Sequence, residues 1–158
     1  MKNVYRILVL LFVAGLLFCG KIVLAGEIDN GMGFKLNSLD NGTVAISDFR
    51  DKKPVLLVFW TTWCPYCIKQ LIFLRDNQQD YKEIELLAIN AGESEHKVRP
   101  FIKRSKIHYK VLLDVDNSVT GYFGIIGLPT YILIDKQGEV VAKSHAFPYE
   151  DSKKLMEK

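Results

Sequence analysis

Histidine and cysteine are scarce in this chain. His96, His108 and His145 are scattered with no spacing that would gather ligands, which argues against a metal site. Three cysteines occur in 158 residues, and Cys19 lies in an apolar N-terminal run, so only Cys64 and Cys67 remain for the globular part. An excess of charge of one sign is also missing. Residues 1–25 hold Lys2, Arg6 and Lys21 and no acid, so removing them takes the formal net charge from +3 to zero. No single-sign field is expected, and nucleic acid is not an expected partner. There is no internal repeat, no low-complexity tract and no sign of a second domain, while the length suffices for one domain with a real core.

A long apolar run is present at the N-terminus. Lys2 and Arg6 precede residues 7–18, which are apolar and broken only by Gly15. This is the pattern of a charged n-region and an h-region. Val23-Leu24-Ala25 places small residues at the −3 and −1 positions of a cleavage before Gly26. The run is near the short limit for a membrane span, and Lys21 could snorkel to the interface. Residues 1–25 therefore read as a cleaved signal peptide or an uncleaved anchor, and both send the rest out of the cytoplasm. Leu17-Phe18 stand where a lipobox wants small residues, so Cys19 reads as one more member of the apolar run. Residues 26–33, with Gly26, Gly31 and Gly33, read as a flexible lead-in, and residues 34–158 as one domain.

Cys64 and Cys67 sit in Trp63-Cys64-Pro65-Tyr66-Cys67. Before them, Val55-Leu56-Leu57-Val58-Phe59-Trp60 is a continuous apolar run, as a strand covered on both faces requires. After them, Ile68, Leu71 and Ile72 have the spacing of a buried helical face, and Pro65 suits a first helical position. The thiols are thus expected at a helix N-terminus, whose unpaired N–H groups favour a thiolate. A structural staple closing so short a loop would restrict the unfolded chain little, which favours a redox role. A hairpin is expected around Asp40-Asn41-Gly42, a helical turn at Ser47-Asp48-Phe49, and strands at residues 85–90 and 111–113. A helix is expected over residues 94–105, with Ser94 as N-cap and a kink or late start at Pro100. A short helix over 117–122, a hairpin around Lys136-Gln137-Gly138 and a polar helix from Tyr149 complete an alternating α/β chain. Phe59, Trp60 and Phe73 read as core, and residues 103–106 as a solvated helix end. His145, just past the last hairpin, is a candidate for the redox face.

These segments resemble the TlpA/ResA/DsbE branch of extracytoplasmic thioredoxin-like proteins, within the wider AhpC/TSA–redoxin superfamily. The matching stretches are the strand with Trp60-Thr61-Thr62-Trp63-Cys64-Pro65-Tyr66-Cys67, then Ala88-Ile89-Asn90-Ala91-Gly92-Glu93-Ser94, Leu113-Asp114, Gly127-Leu128-Pro129-Thr130-Tyr131, and Ile134-Asp135-Lys136-Gln137-Gly138. The resemblance covers roughly residues 33–150. It implies a thioredoxin fold, a central mixed β-sheet flanked by helices, with an N-terminal β-hairpin and a β/α insertion from about residue 94 to 116. It implies that Cys64 is the nucleophile, that Cys67 resolves, and that the two form a disulfide. Pro129 would be a cis-proline that presents the backbone of Leu128 to an extended partner segment. Trp63, Pro65 and Tyr66 would contribute the rest of the substrate surface.

Two acids of related proteins are missing. Val58 stands where thioredoxins carry a buried Asp, and Gln70 where ResA-like reductases carry a Glu. A proton route for the inner thiol would then need another carboxylate, such as Glu93, or water. The expected function is an exported thiol–disulfide oxidoreductase, with no metal or organic cofactor, acting as a reductant toward client proteins, for example in cytochrome c maturation. The expected partners are client thiols or disulfides and a membrane thiol/disulfide carrier. The expected state is a monomer in the bacterial periplasm or on the outer face of the cytoplasmic membrane. The Pro65-Tyr66 dipeptide is that of glutaredoxins, whose potentials of about −200 to −230 mV permit either direction of electron flow. Two alternatives are weaker. One is a thioredoxin-like binding module without turnover. The other is a peroxidase, to which Thr61-Thr62-Trp63-Cys64 bears a superficial likeness.

Overall fold

The computed structural model describes residues 27–29 and 33–157. The signal-or-anchor reading of residues 1–25 and the reading of Cys19 lie outside the described residues. Among the described residues, eight strands form one mixed sheet. They are β1 (Glu27–Asp29), β2 (Gly33–Ser38), β3 (Gly42–Ala45), β4 (Val55–Trp60), β5 (Glu85–Ala91), β6 (Lys110–Asp114), β7 (Thr130–Ile134) and β8 (Val140–Ser144). The order across the sheet is β1-β2-β6-β5-β4-β7-β8, with β3 paired to β2. Strands β4, β5 and β6 run parallel, and β7 runs antiparallel beside β4.

The all-apolar sequence of β4 follows from its central place. All six residues are buried. Alternate side chains feed two clusters, one on each face of the sheet. Leu56, Val58 and Trp60 pack with Leu71, Leu74 and Val98 on one face. Val55, Leu57 and Phe59 pack with Phe34, Leu87 and Val119 on the other. Helices α1 (Pro65–Asp76), α2 (Glu95–Ser105) and α4 (Tyr149–Met156) contribute to the first cluster, and α3 (Ser118–Tyr122) to the second. This arrangement is the thioredoxin fold that the sequence implied, with its N-terminal hairpin β2–β3 and an inserted α2–β6 unit.

Several details depart from the sequence expectations. Glu27–Asp29, within the lead-in expected to be flexible, pairs with β2 as a strand. Lys35 pairs with both Glu27 and Ala45, so β1 and β3 lie on opposite edges of β2. On the β1 side, β6 reaches only Asn37 and Ser38. The rest of that edge carries backbone donors and acceptors that β1 satisfies. Helix α2 runs through Pro100 without a break, and Ser94 caps it by extended backbone without a side-chain hydrogen bond. Phe73, expected in the core, is 43% exposed and packs edge-on against Phe147. The central strands were already filled by Phe59 and Trp60, and Phe73 lies on the outer face of α1.

Candidate active site

The strand β4 ends at Trp60, and residues 61–64 turn the chain into α1. Cys64 is the N-cap of that helix and Pro65 its first residue. Cys64 and Cys67 are joined in a disulfide. The Cys64 sulfur accepts a hydrogen bond from the Cys67 backbone N–H at 3.1 Å. Cys67 is 1% exposed and Cys64 8%. Of the two cysteines, only Cys64 lines a groove of about 570 Å³.

Trp63, Cys64, Pro65 and Tyr66 form one wall of this groove, and residues 125–128 the other. The Leu128–Pro129 peptide bond is cis. The Leu128 carbonyl oxygen lies 4.0 Å from the Cys64 sulfur. Pro129 is buried behind the groove, as is Cys67. The fold therefore brings together the seven residues expected to carry the reaction and the substrate surface: Trp63, Cys64, Pro65, Tyr66 and Leu128 line the groove, and Cys67 and Pro129 lie behind it. Trp63 and Tyr66 are 66% and 56% exposed. Asn117, Thr120, Ile125 and Ile126, which no sequence pattern pointed to, complete the opposite wall. Ile126 is 97% exposed. An isolated isoleucine in a loop carries no periodicity, so only its nearness to Pro129 could have flagged it.

The groups near position 70 and Glu93 settle where proton acceptors stand. Gln70 lies one turn beyond Cys67, and its Oε1 accepts a hydrogen bond from the Tyr131 hydroxyl at 2.9 Å. Burial pushes the Tyr131 phenol well above its ordinary value, with Tyr66 adding to the rise. Val58 is buried and pairs with Ala88 and Tyr131 across the sheet, so no acid stands at that position either. Glu93 is buried and hydrogen-bonded to Thr62, Asn90 and Lys97. Burial alone would raise its pKa. The Lys97 ammonium, the Asn90 amide and the Thr62 N–H and hydroxyl outweigh burial and hold the carboxyl below the usual carboxylate range. A carboxylate so held is a poor proton acceptor near neutral pH.

His145 does approach the site. Its Nδ1 lies 3.0 Å from the Pro129 carbonyl oxygen, a contact that an Nδ1–H satisfies, and 3.2 Å from Thr130 Oγ1. His96 lies on α2, and His108 stands just before β6, on separate elements.

A model of the AhpC/TSA family matches residues 29–143. The chain belongs to the AhpC/TSA family. Within it, the chain resembles the thiol-disulfide oxidoreductase ResA of Bacillus thuringiensis, at 30% identity over 149 residues, covering 89% of this chain and 86% of that protein. ResA of Bacillus subtilis is 32% identical over 126 residues, covering 78% and 69% of the two chains. Among solved structures, the pneumococcal exposed lipoprotein thioredoxin Etrx1 of Streptococcus pneumoniae superposes with a TM-score of 0.66 at 26% identity, over 80% of this chain and 99% of that one. This AhpC/TSA member is a ResA-like thiol–disulfide oxidoreductase whose redox pair is Cys64–Cys67.

Proposed function

We propose that this AhpC/TSA-family enzyme works outside the cytoplasm as a reductant of client proteins, with Cys64 as nucleophile and Cys67 as resolving thiol. The observation that carries the assignment is the asymmetry of the pair: Cys64 borders the groove and Cys67 is sealed behind it. In the reduced protein the Cys64 thiolate attacks a client disulfide. One client sulfur leaves as thiolate, and a mixed disulfide forms. Cys67 then loses its proton to water and attacks the Cys64 sulfur. The Cys64–Cys67 disulfide re-forms, the second client sulfur leaves, and two electrons have passed to the client. Trp63, Pro65 and Tyr66 on one side and Leu128 with Pro129 on the other would hold the client segment. A membrane thiol/disulfide carrier would return the electrons, and c-type cytochrome apoproteins are candidate clients. Residues 1–25 would export the chain or hold it at the outer face of the membrane, as a monomer.

Equilibration with glutathione buffers tests the direction. A potential more negative than about −230 mV supports the reductant role, and one near the −120 mV or so of a dedicated oxidant overturns it. Trapping a purified cytochrome apoprotein disulfide on a Cys67→Ser variant tests the client class. A mixed disulfide on Cys64 is expected. No adduct, with exchange intact on other protein disulfides, would remove cytochrome from the proposal.

A further inference from the structure

The turn that delivers Cys64 is held by one carboxylate. Glu93 Oε2 accepts hydrogen bonds from Thr62 N at 2.6 Å and from Asn90 Nδ2 at 2.8 Å. Oε1 accepts from Thr62 Oγ1 at 2.8 Å and pairs with Lys97 Nζ at 2.6 Å. Each oxygen thus has two donors, the usual capacity of a carboxylate oxygen. Glu93 is 6% exposed, and Asn90 is fully buried. Thr62 lies two residues before the nucleophile, and Cys64 N in turn donates to Thr61 O.

The corner that carries Glu93 is held from a second side. Gly92 has φ +71°, and a Cβ there would meet Asn117 Nδ2 at 2.8 Å. Gly92 N donates to Asp114 O at 2.9 Å. The end of β5 is thereby fastened to the end of β6, and Glu93 fastens it to the end of β4. Lys97 is half-exposed in the first turn of α2, so the ion pair runs from the buried turn to the surface.

We propose that Glu93 is a positioning residue of the thiol–disulfide reaction, fixing residues 61–64 and, with Lys97, setting the charge beside Cys64, in place of carrying a proton for Cys67. This rests on the reading of Cys64 as the attacking thiol. A carboxylate that merely stabilised the fold would not influence thiol chemistry. One that sets the local charge must act with opposite sign from its cation.

The test is the pH profile of iodoacetamide alkylation of the reduced, full-length protein between pH 5 and 9, with the modified cysteine located by mass spectrometry. Glu93→Gln and Lys97→Met are compared with wild type. Tyr66 and Lys69 on α1 and His145 beneath the Leu128–Pro129 loop stay unchanged, so their influence is common to all three proteins. Glu93→Gln leaves the ammonium without its carboxylate and should move the Cys64 profile to lower pH. Lys97→Met leaves the carboxylate without its cation and should move it to higher pH. Each shift should change the rate on the rising limb about two- to tenfold. Lys97→Met carries the test alone if Glu93→Gln does not fold, because Lys97 is half-exposed. Superimposable profiles, or shifts of the same sign, overturn the proposal and leave Glu93 a stabilising residue. A disulfide-exchange rate that loses a pH-dependent limb in Glu93→Gln alone makes Glu93 the proton carrier, which also overturns it. Alkylation of Cys67 before Cys64 in wild type would instead remove the underlying assignment of the nucleophile.

Discussion

One wall of the groove, residues 61–66, is tied from below by a carboxylate that water scarcely reaches. The other, residues 125–129 with the turn before it, has one tie from a buried side chain, the Thr130 hydroxyl donating to the Gly127 carbonyl at 2.7 Å, and is otherwise held by side chains at the surface. His145 reaches the Pro129 carbonyl, and Lys143 Nζ donates to the carbonyls of Phe123 and Gly124 at 2.7 and 3.1 Å. Both devices hold backbone, and they differ in what happens when they are removed. Water can replace an exposed donor, whereas donors left behind by a buried acceptor have no substitute. The wall that carries Cys64 is therefore the more firmly held of the two, and the loop opposite the more adaptable.

Cys64→Ser removes the chemistry and leaves both walls standing. Reduction of a protein disulfide such as insulin should fall to background, and any remaining catalysis by Cys67 would dissolve the distinction between the two sulfurs. Glu93→Ala should produce the next largest effect. It strands the Thr62 N–H and the Asn90 amide, and a loss of about 2–4 kcal/mol in denaturant unfolding is expected. The same brace has an acid limit. The Glu93 pKa is lower folded than unfolded, so its contribution is complete above the ordinary carboxylate value near 4.3 and fades as pH falls through the folded value. Below about pH 4.3 the melting temperatures of wild type and Glu93→Gln should converge, and parallel curves down to pH 3 would show that the carboxylate is not what braces this wall.

His145→Ala should cost under about 1 kcal/mol, because water can meet the Pro129 carbonyl. Its effect should fall on the adaptable wall: a several-fold rise in KM for a protein disulfide, with the rate on a small disulfide unchanged. An equal effect on both substrates would mean that His145 acts on the thiols and not on the loop. The smallest change should come at Gln70. A Gln70→Glu variant restores a titratable group one turn beyond Cys67, and the pH profile of disulfide reduction between pH 5 and 9 should shift by less than about a unit. Superimposable profiles would uncouple position 70 from the thiols.

Much of this was legible in the sequence, for physical reasons that differ by region. A central parallel strand must be apolar on both faces, so β4 announced itself, and the proline after Cys64 announced the start of α1. The residues at positions 127–131 and 134–138 were legible through resemblance. The rest of the second wall was not, because Asn117 and Thr120 come from α3 and its cap and Ile126 from the loop that follows, and their meeting at the groove leaves no period in the sequence. The role of Glu93 was half-legible. The acids missing at positions 58 and 70 drew attention to it as a carboxylate, but only the four donors around it show that its lone pairs are already committed. Glu27–Asp29 was misjudged because three residues among glycines carry no pattern. The vacancy on the edge of β2 that they fill is a property of the sheet.

The hydrogen bond from Cys67 N to the Cys64 sulfur bears on how the enzyme changes oxidation state. Once the pair is fully reduced, a thiolate on Cys64 finds an amide dipole already aimed at it. The surroundings then need little reorientation to accept the new charge, as in electron-transfer proteins whose scaffolds keep reorganisation small. Folding sets that dipole once, before any thiolate forms.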